Sequence, residues 1–248
     1  ISKPFAFALV SQALSCQQAR YKIGVNATGL PFNSVMAIEL NESRTMNPMV
    51  NAGAIATTSL VPGATAEEKW QFIHDGLSRL AGRRLTLNTE VYESEAASNQ
   101  RNQGIAHLLE GYGRMYFDPL QATDVYTKQC SLNVSDRDLA VMGATLADGG
   151  VNPLTKERVL DADRCKRVLA ALATAGLYEE SGDWLYEVGL PGKSGVSGGI
   201  VTVAPGKGGL ATFAPQLDSA GNSIKGQLVT KFLSERLGLN LFASQAAA

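Results

Sequence analysis

The stretch "GLPGKSGVSGGIVTVAP", residues 189 to 205, constrains this chain more than any other. It sets a lysine and a serine inside a glycine cluster and follows them with β-branched residues. Glycine in such density serves a backbone that turns sharply or approaches another group closely. Two such uses are a phosphate cradle and the rim of a hydrolase site. A nucleotide-binding loop reads G-x-x-x-x-G-K-[ST], so with Gly192, Lys193 and Ser194 in its last places its first glycine falls at position 187, which is Glu187. Such a loop also opens a helix toward the phosphates, whereas Ile200, Val201, Thr202 and Val203 have strand propensity and end at Pro205. The phosphate reading fails on both counts.

What remains, K-S-G on or beside a strand, resembles the K-T-G element of serine β-lactamases and penicillin-binding proteins, which pair it with S-x-x-K. No lysine here has a serine three places before it within the chain; for Lys3 that place falls immediately before Ile1. Taken alone, K-S-G is equally served by an ordinary tight turn into a strand.

Composition narrows the field. With 248 residues, 45% hydrophobic and 18% charged, the chain buries one sizeable core, as a single large domain or two closely joined lobes, and is not a disordered protein. Its 22 basic and 23 acidic residues leave a net charge of −1, which gives no broad attraction to nucleic acid or an anionic membrane and points to a small substrate. No segment approaches the roughly 20 apolar residues of a membrane-crossing helix. Cys16, Cys130 and Cys165 are widely spaced with no C-x-x-C, so they read as buried free thiols of a reducing compartment, the cytoplasm. His74 and His107 are too few for a Ser-His-Asp network or a histidine-rich metal site. The expected base is therefore not histidine, and no metal or cofactor is expected.

The chain opens in mid-element: "ISKPFAFALVSQAL" reads as a helix with Pro4 in its first turn, which implies residues upstream of Ile1. A short strand is expected around Val35 to Leu40, and a tightly packed helix within "NESRTMNPMVNAGAIATTSL". Glu67 to Ala81 is amphipathic and stops at Gly82. The segment "LNTEVYESEAASNQRNQGIAHLLEGYG" carries a helical pattern with Ile105, Leu108 and Leu109 on its apolar side. Ser135 with Asp138 resembles a capping box and opens a helix through Ala147. Asp161 to Ala175 is helical; Glu187 to Leu190, Gly199 to Ala204 and Leu210 to Phe213 read as strands, and a last helix spans about Ser219 to Leu237. Strands late and helices elsewhere indicate an α+β fold.

Two further stretches, "NPMVNAGAI" at 47 to 55 and "VGLPGKSGVSGGI" at 188 to 200, join "ISKP", "SEAASNQRN" at 94 to 102, "DVYTKQCSLNV" at 124 to 134 and "DGGVNP" at 148 to 153. Together they closely resemble the serine-dependent glutaminases, in that family's order and over almost the whole chain. The resemblance implies a β-lactamase/penicillin-binding-protein-like fold, an antiparallel sheet packed with helices, with the first helix and strands absent from this chain. It implies a catalytic domain over 1–242, a flexible tail at 243–248, and a homodimer or homotetramer. The family's S-x-x-K lysine matches Lys3, so its nucleophilic serine matches the residue just before Ile1. By motif, the substrate site falls on Asn51, Glu95, Asn102, Tyr126, Tyr178 and Val196.

An amino-acid amide suits those residue types. L-Glutamine presents an ammonium, a carboxylate and a neutral amide, and Glu95 supplies an acid for the ammonium. Glu95 and Asn102 are seven residues apart, so a continuous helix would turn both one way. The implied chemistry is acyl transfer: the serine attacks the side-chain carbonyl, ammonia leaves, and water hydrolyses the glutamyl ester. Lys3 takes the serine proton if burial and a second cation lower its pKa by roughly three units. Lys193 is the candidate cation, Tyr126 a relay between the lysines, and the base assignment between Lys3 and Tyr126 stays open. The Val196 N–H is the candidate oxyanion donor, with Gly195, Gly198 and Gly199 admitting the substrate. A penicillin-recognising hydrolase of the same fold and a non-catalytic glutamine-binding module are the competing readings.

Overall fold

The computed structural model describes residues 1–42 and 46–244. Helix α1 (Lys3–Ala13) starts with Pro4 in its first turn, where a missing N–H costs nothing. Its side chains from Lys3 to Ser11 are all buried, so it runs through the interior instead of along a face. Helix α2 (Cys16–Ile23) opens on a Ser15–Gln18 capping box. Then come α3 (Met36–Glu39), α4 (Asn51–Ser59) and α5 (Ala66–Ala81), the last set between a Thr65–Glu68 capping box and Gly82 at φ 73°.

Strand β1 (Thr86–Leu87) pairs antiparallel with β2 (Leu132–Asn133) and closes off α6 (Thr89–Ser98), α7 (Gln100–Gly111) and α8 (Pro119–Cys130). Helices α9 (Asp136–Ala147) and α10 (Ala162–Ala175), a 3-10 turn at Tyr178–Glu180 and α11 (Ser181–Val188) lead into β3 (Gly192–Ser194), β4 (Gly199–Ala204) and β5 (Gly208–Phe213). Helix α12 (Ile224–Arg236) follows.

The order β3-β4-β5 is antiparallel throughout, with Lys193 opposite Val201 and Val201 opposite Ala211. Strand β4 is buried on both faces, which is why its β-branched run at 200–203 shows no alternation of apolar and charged residues. Val201 and Val203 join the cluster built from α1, α5, α9 and α10, while Ile200 and Ala204 pack on the other face with Leu177, Trp184 and Leu190. A further cluster gathers Ile38, Val50, Ile55, Ile105, Leu109 and Tyr126. The architecture is α+β, as expected.

Several local expectations are corrected. The strand expected at Val35 to Leu40 is the short helix α3: the consecutive residues Ala37 and Ile38 are buried while Met36 and Leu40 are exposed, which is not a strand's alternation. Glu187 to Leu190 is no strand either. Trp184 and Val188, one helical turn apart, anchor α11, which stops at Gly189 with φ 70°. The last helix begins at Ile224, because the Asp218 carboxylate takes the N–H groups of Ala220 and Asn222 and folds the preceding residues into a turn.

The helical segment 89–111 is broken at Asn99, whose side chain donates to Thr127 Oγ1 and accepts from Gln103 Nε2, so Glu95 and Asn102 stand on different helices. The helix expected within 41–60 covers Asn51–Ser59, and the part of that expectation on 43–45 lies outside the described residues. So does the tail beyond Ser244; Ala243 and Ser244 belong to no regular element. Of the free cysteines Cys165 is buried, Cys16 half-buried and Cys130 exposed, because Cys130 closes α8 at the mouth of a cleft.

Candidate active site

Lys3 heads α1, and its ammonium has no carboxylate partner among the described residues. Nζ donates instead to Asn51 Oδ1 at 2.7 Å. Asn51 opens α4 and donates through Nδ2 to Asn102 Oδ1 on α7 at 2.9 Å. Tyr126, on α8, directs its hydroxyl at the same Asn51 oxygen, 3.4 Å away. With Lys3 and Tyr126 both donating, the oxygen of the Asn51 amide must face them and its nitrogen must face Asn102. One side chain thereby ties four helices together.

Burial dominates the electrostatics. Lys3 is 9% exposed, and removal of its charge from water lowers its pKa to about 8. Lys193, 1% exposed on β3, is held well below the usual lysine value by burial first and then by the nearby Lys3 charge. Its Nζ donates to Gly176 O at 2.9 Å and Ser194 O at 2.6 Å and lies 4.1 Å from the Tyr178 ring centroid. Lys193 is therefore the brace between β3 and the 176–178 segment, and the lowering of Lys3 comes from burial and not from a Lys193 charge, which burial disfavours.

The Tyr126 phenol is pushed well above its ordinary value by burial, next by the adjacent Cys130 and then by Tyr178 and Glu95. The relay expected between the lysines is corrected: among the described residues no hydrogen bond joins Tyr126 to either lysine, because Asn51 stands at its hydroxyl. Glu95 is exposed on α6, and its charge adds the smallest contribution to the raised value of the Tyr126 phenol.

Tyr178 carries a backbone outlier, φ 60° in a non-glycine residue, a conformation that costs on the order of 1–3 kcal/mol. Three contacts hold it there. Ser181 Oγ donates to Tyr178 O at 2.7 Å, Leu177 N donates to Ser181 Oγ, and the Tyr178 hydroxyl donates to Ser194 O at 3.3 Å. The Tyr178 ring also meets Phe32 at 4.9 Å, and Lys3 Nζ lies 5.5 Å from the Phe32 ring. Phe32 is a site residue that sequence reading missed, since it sits in a turn-rich segment without periodicity.

The 195–198 segment is a tight turn, closed by Gly195 N–H to Gly199 O and Gly198 N–H to Gly195 O, both 2.9 Å. Val196 is exposed at its tip, and its N–H has no partner among the described residues. A Cβ on Gly195 or Gly199 would lie 2.7 or 2.6 Å from the Ile1 side chain, so these glycines let the start of α1 press against the turn. The histidines lie elsewhere: buried His74 bonds Leu85 O, and exposed His107 faces Glu110. Among the described residues no three His, Cys, Asp or Glu side chains gather as a metal site requires.

A buried lysine pair flanked by a K-S-G strand and packed helices defines a protein of the serine β-lactamase-like fold, the fold of the solved glutaminases it superposes on. The glutaminase family profile matches residues 1–242, and the chain belongs to that family. It is 69% identical to glutaminase 2 of Yersinia pestis over 245 residues, 99% of this chain and 72% of that protein. The structure of "Probable glutaminase ybaS" superposes with a TM-score of 0.97 at 49% identity, covering 98% of this chain and 79% of that one. The Bacillus subtilis glutaminase YbgJ, in covalent complex with 5-oxo-L-norleucine formed from 6-diazo-5-oxo-L-norleucine, superposes with a TM-score of 0.88 at 30% identity, covering 98% and 80%.

Proposed function

We propose that the Lys3–Asn51–Tyr126 centre hydrolyses L-glutamine to L-glutamate and ammonia through a serine acyl-enzyme, with the nucleophile immediately before Ile1. The observation that carries this reading is the buried Lys3 side chain at the N-terminal end of α1, bonded to Asn51, paired with no acid among the described residues and lowered to about 8. A lysine so placed is neutral in a useful fraction near pH 8 and takes the serine proton. Tyr126 is a poorer base, because its burial disfavours the phenolate. It donates its hydroxyl proton and orders Asn51.

The unpaired Val196 N–H receives the oxyanion, Glu95 the substrate ammonium, and Asn51, Asn102 and Tyr178 the remaining polar groups. The Bacillus enzyme forms its covalent complex with 6-diazo-5-oxo-L-norleucine, a glutamine analogue that loses dinitrogen from the carbon next to its 5-oxo group. This supports a nucleophile placed beside the side-chain carbonyl of a bound glutamine. Residues 1–242 form the catalytic domain in this reading. The protein acts in the cytoplasm as a homodimer or homotetramer, and exposed Leu228 and Phe232 on α12 suit burial in such an assembly.

The test is ammonia release by a chain that carries the upstream serine. L-Glutamine turnover with no nitrocefin hydrolysis is the expected result. Nitrocefin turnover would favour the penicillin-recognising alternative, and glutamine binding without ammonia release would favour a binding module.

A further inference from the structure

The carbonyl of Ser194 immediately precedes the oxyanion turn and receives two donors, Lys193 Nζ at 2.6 Å and the Tyr178 hydroxyl at 3.3 Å. Its side chain is fixed from the opposite direction. Ser194 Oγ donates to Asn222 Oδ1 at 2.5 Å, and Asn222 Nδ2 donates to Glu180 Oε2 at 3.2 Å. Ser194 and Asn222 are both fully buried. Asn222 closes the 218–222 turn, in which its own N–H donates to Asp218 Oδ1 at 2.9 Å and Gly221 N–H to Asp218 O at 3.2 Å.

That turn lies beside Val196 and Tyr178. A Cβ on Gly221 would lie 3.4 Å from Val196 Cγ1 and 3.8 Å from Tyr178 Cε2. Glu180 ends the 3-10 turn that Tyr178 opens, so the path Glu180–Asn222–Ser194 returns to the strained segment it starts from through the Tyr178 hydroxyl on Ser194 O. The three links form a closed polar ring around the base of the 195–198 turn.

We propose that Asn222 is a positioning residue for the glutaminase reaction, setting the oxyanion turn through Ser194 Oγ with Glu180 fixing its amide. This rests on Val196 supplying the oxyanion N–H. Neither Asn222 nor Ser194 Oγ needs to touch substrate. Because donor geometry at an oxyanion matters most in the transition state, the ring acts on kcat more than on KM.

The experiment is a double-mutant cycle of Ser194→Ala and Asn222→Ala in the glutaminase chain carrying the upstream serine, read as kcat and KM for L-glutamine alongside thermal melting. Each single variant is expected to lose kcat about 10- to 100-fold with KM within about 3-fold, and the double variant to lose no more than the worse single one. An unchanged kcat in folded Ser194→Ala overturns the proposal, as do multiplicative losses in the double variant. If Asn222→Ala does not fold, Ser194→Ala reads the same link alone. An inactive parent enzyme would instead overturn the reaction assigned to the site, and full activity of folded Val196→Pro would overturn the oxyanion assignment.

Discussion

Lys3, Glu95 and Val196 each carry a separable consequence in a chain that has the upstream serine. If neutral Lys3 is the base, kcat/KM should rise with pH along a limb centred near the lowered value of about 8. A limb centred above pH 10 would return the role to an unperturbed group. Replacing Glu95 by Gln removes one charge-assisted hydrogen bond to the substrate ammonium, worth roughly 1.5–3 kcal/mol, so kcat/KM should fall about ten- to a few hundred-fold. An unchanged value removes Glu95 from the site. For Val196 the side chain and the main chain are separable: Val196→Ala should keep most activity, whereas Val196→Pro loses the donor and about a hundred- to a thousand-fold in kcat. Comparable kcat in folded Ala and Pro variants would place the oxyanion donor elsewhere. Motifs single these residues out in the sequence. Phe32 was not legible, because its contact with Tyr178 depends on how a loop returns to α1, and the Ser194–Asn222 link spans 28 residues with no local signal.

At the scale of elements, what the sequence reveals tracks where local chemistry decides the structure. The Ser135–Asp138 capping box of α9 forms as read, and β4 spans the expected Gly199 to Ala204. The break at Asn99 depends instead on Thr127, a residue of another helix, and neighbouring sequence cannot report such a partner. Asp138 also takes two hydrogen bonds from Arg83, at 2.8 and 2.6 Å, which joins the end of α5 to the start of α9. The Arg83 guanidinium, aided by the Ser135 donors, holds the Asp138 carboxyl down to about 2 from 3.8. A depressed carboxylate stabilises the fold fully above its unfolded pKa and loses that contribution as pH falls through the folded one. Asp138→Asn should therefore cost about 1–2 kcal/mol at pH 7, a figure reduced because Arg83 is half exposed. The difference should vanish between pH 4 and pH 2. Urea unfolding at both limits checks it, and a gap that persists at pH 2 would assign the loss to packing.

For the whole molecule, the buried Lys3 centre opposes the fold that contains it. Lys3 is buried on α1 beside α4, with an asparagine as hydrogen-bond acceptor and no counter-charge among the described residues. The low pKa that makes this lysine useful as a base is equally a statement about stability. Its folded pKa of about 8 lies below the reference 10.5, so between those values the unfolded chain binds more protons than the folded one. Stability must then rise with pH across that interval, and below it the buried ammonium costs roughly 3 kcal/mol. Lys3→Met keeps the volume and removes the charge. The variant should be the more stable form at pH 7, and its advantage should narrow by about 2 kcal/mol as pH rises to 10. Paired urea titrations of wild type and variant at the two pH values read this difference, which also contains the change at Lys193, whose pKa the Lys3 charge lowers. A constant gap would mean that Lys3 keeps an ordinary pKa in the fold, and the general-base role of Lys3 would fall with it.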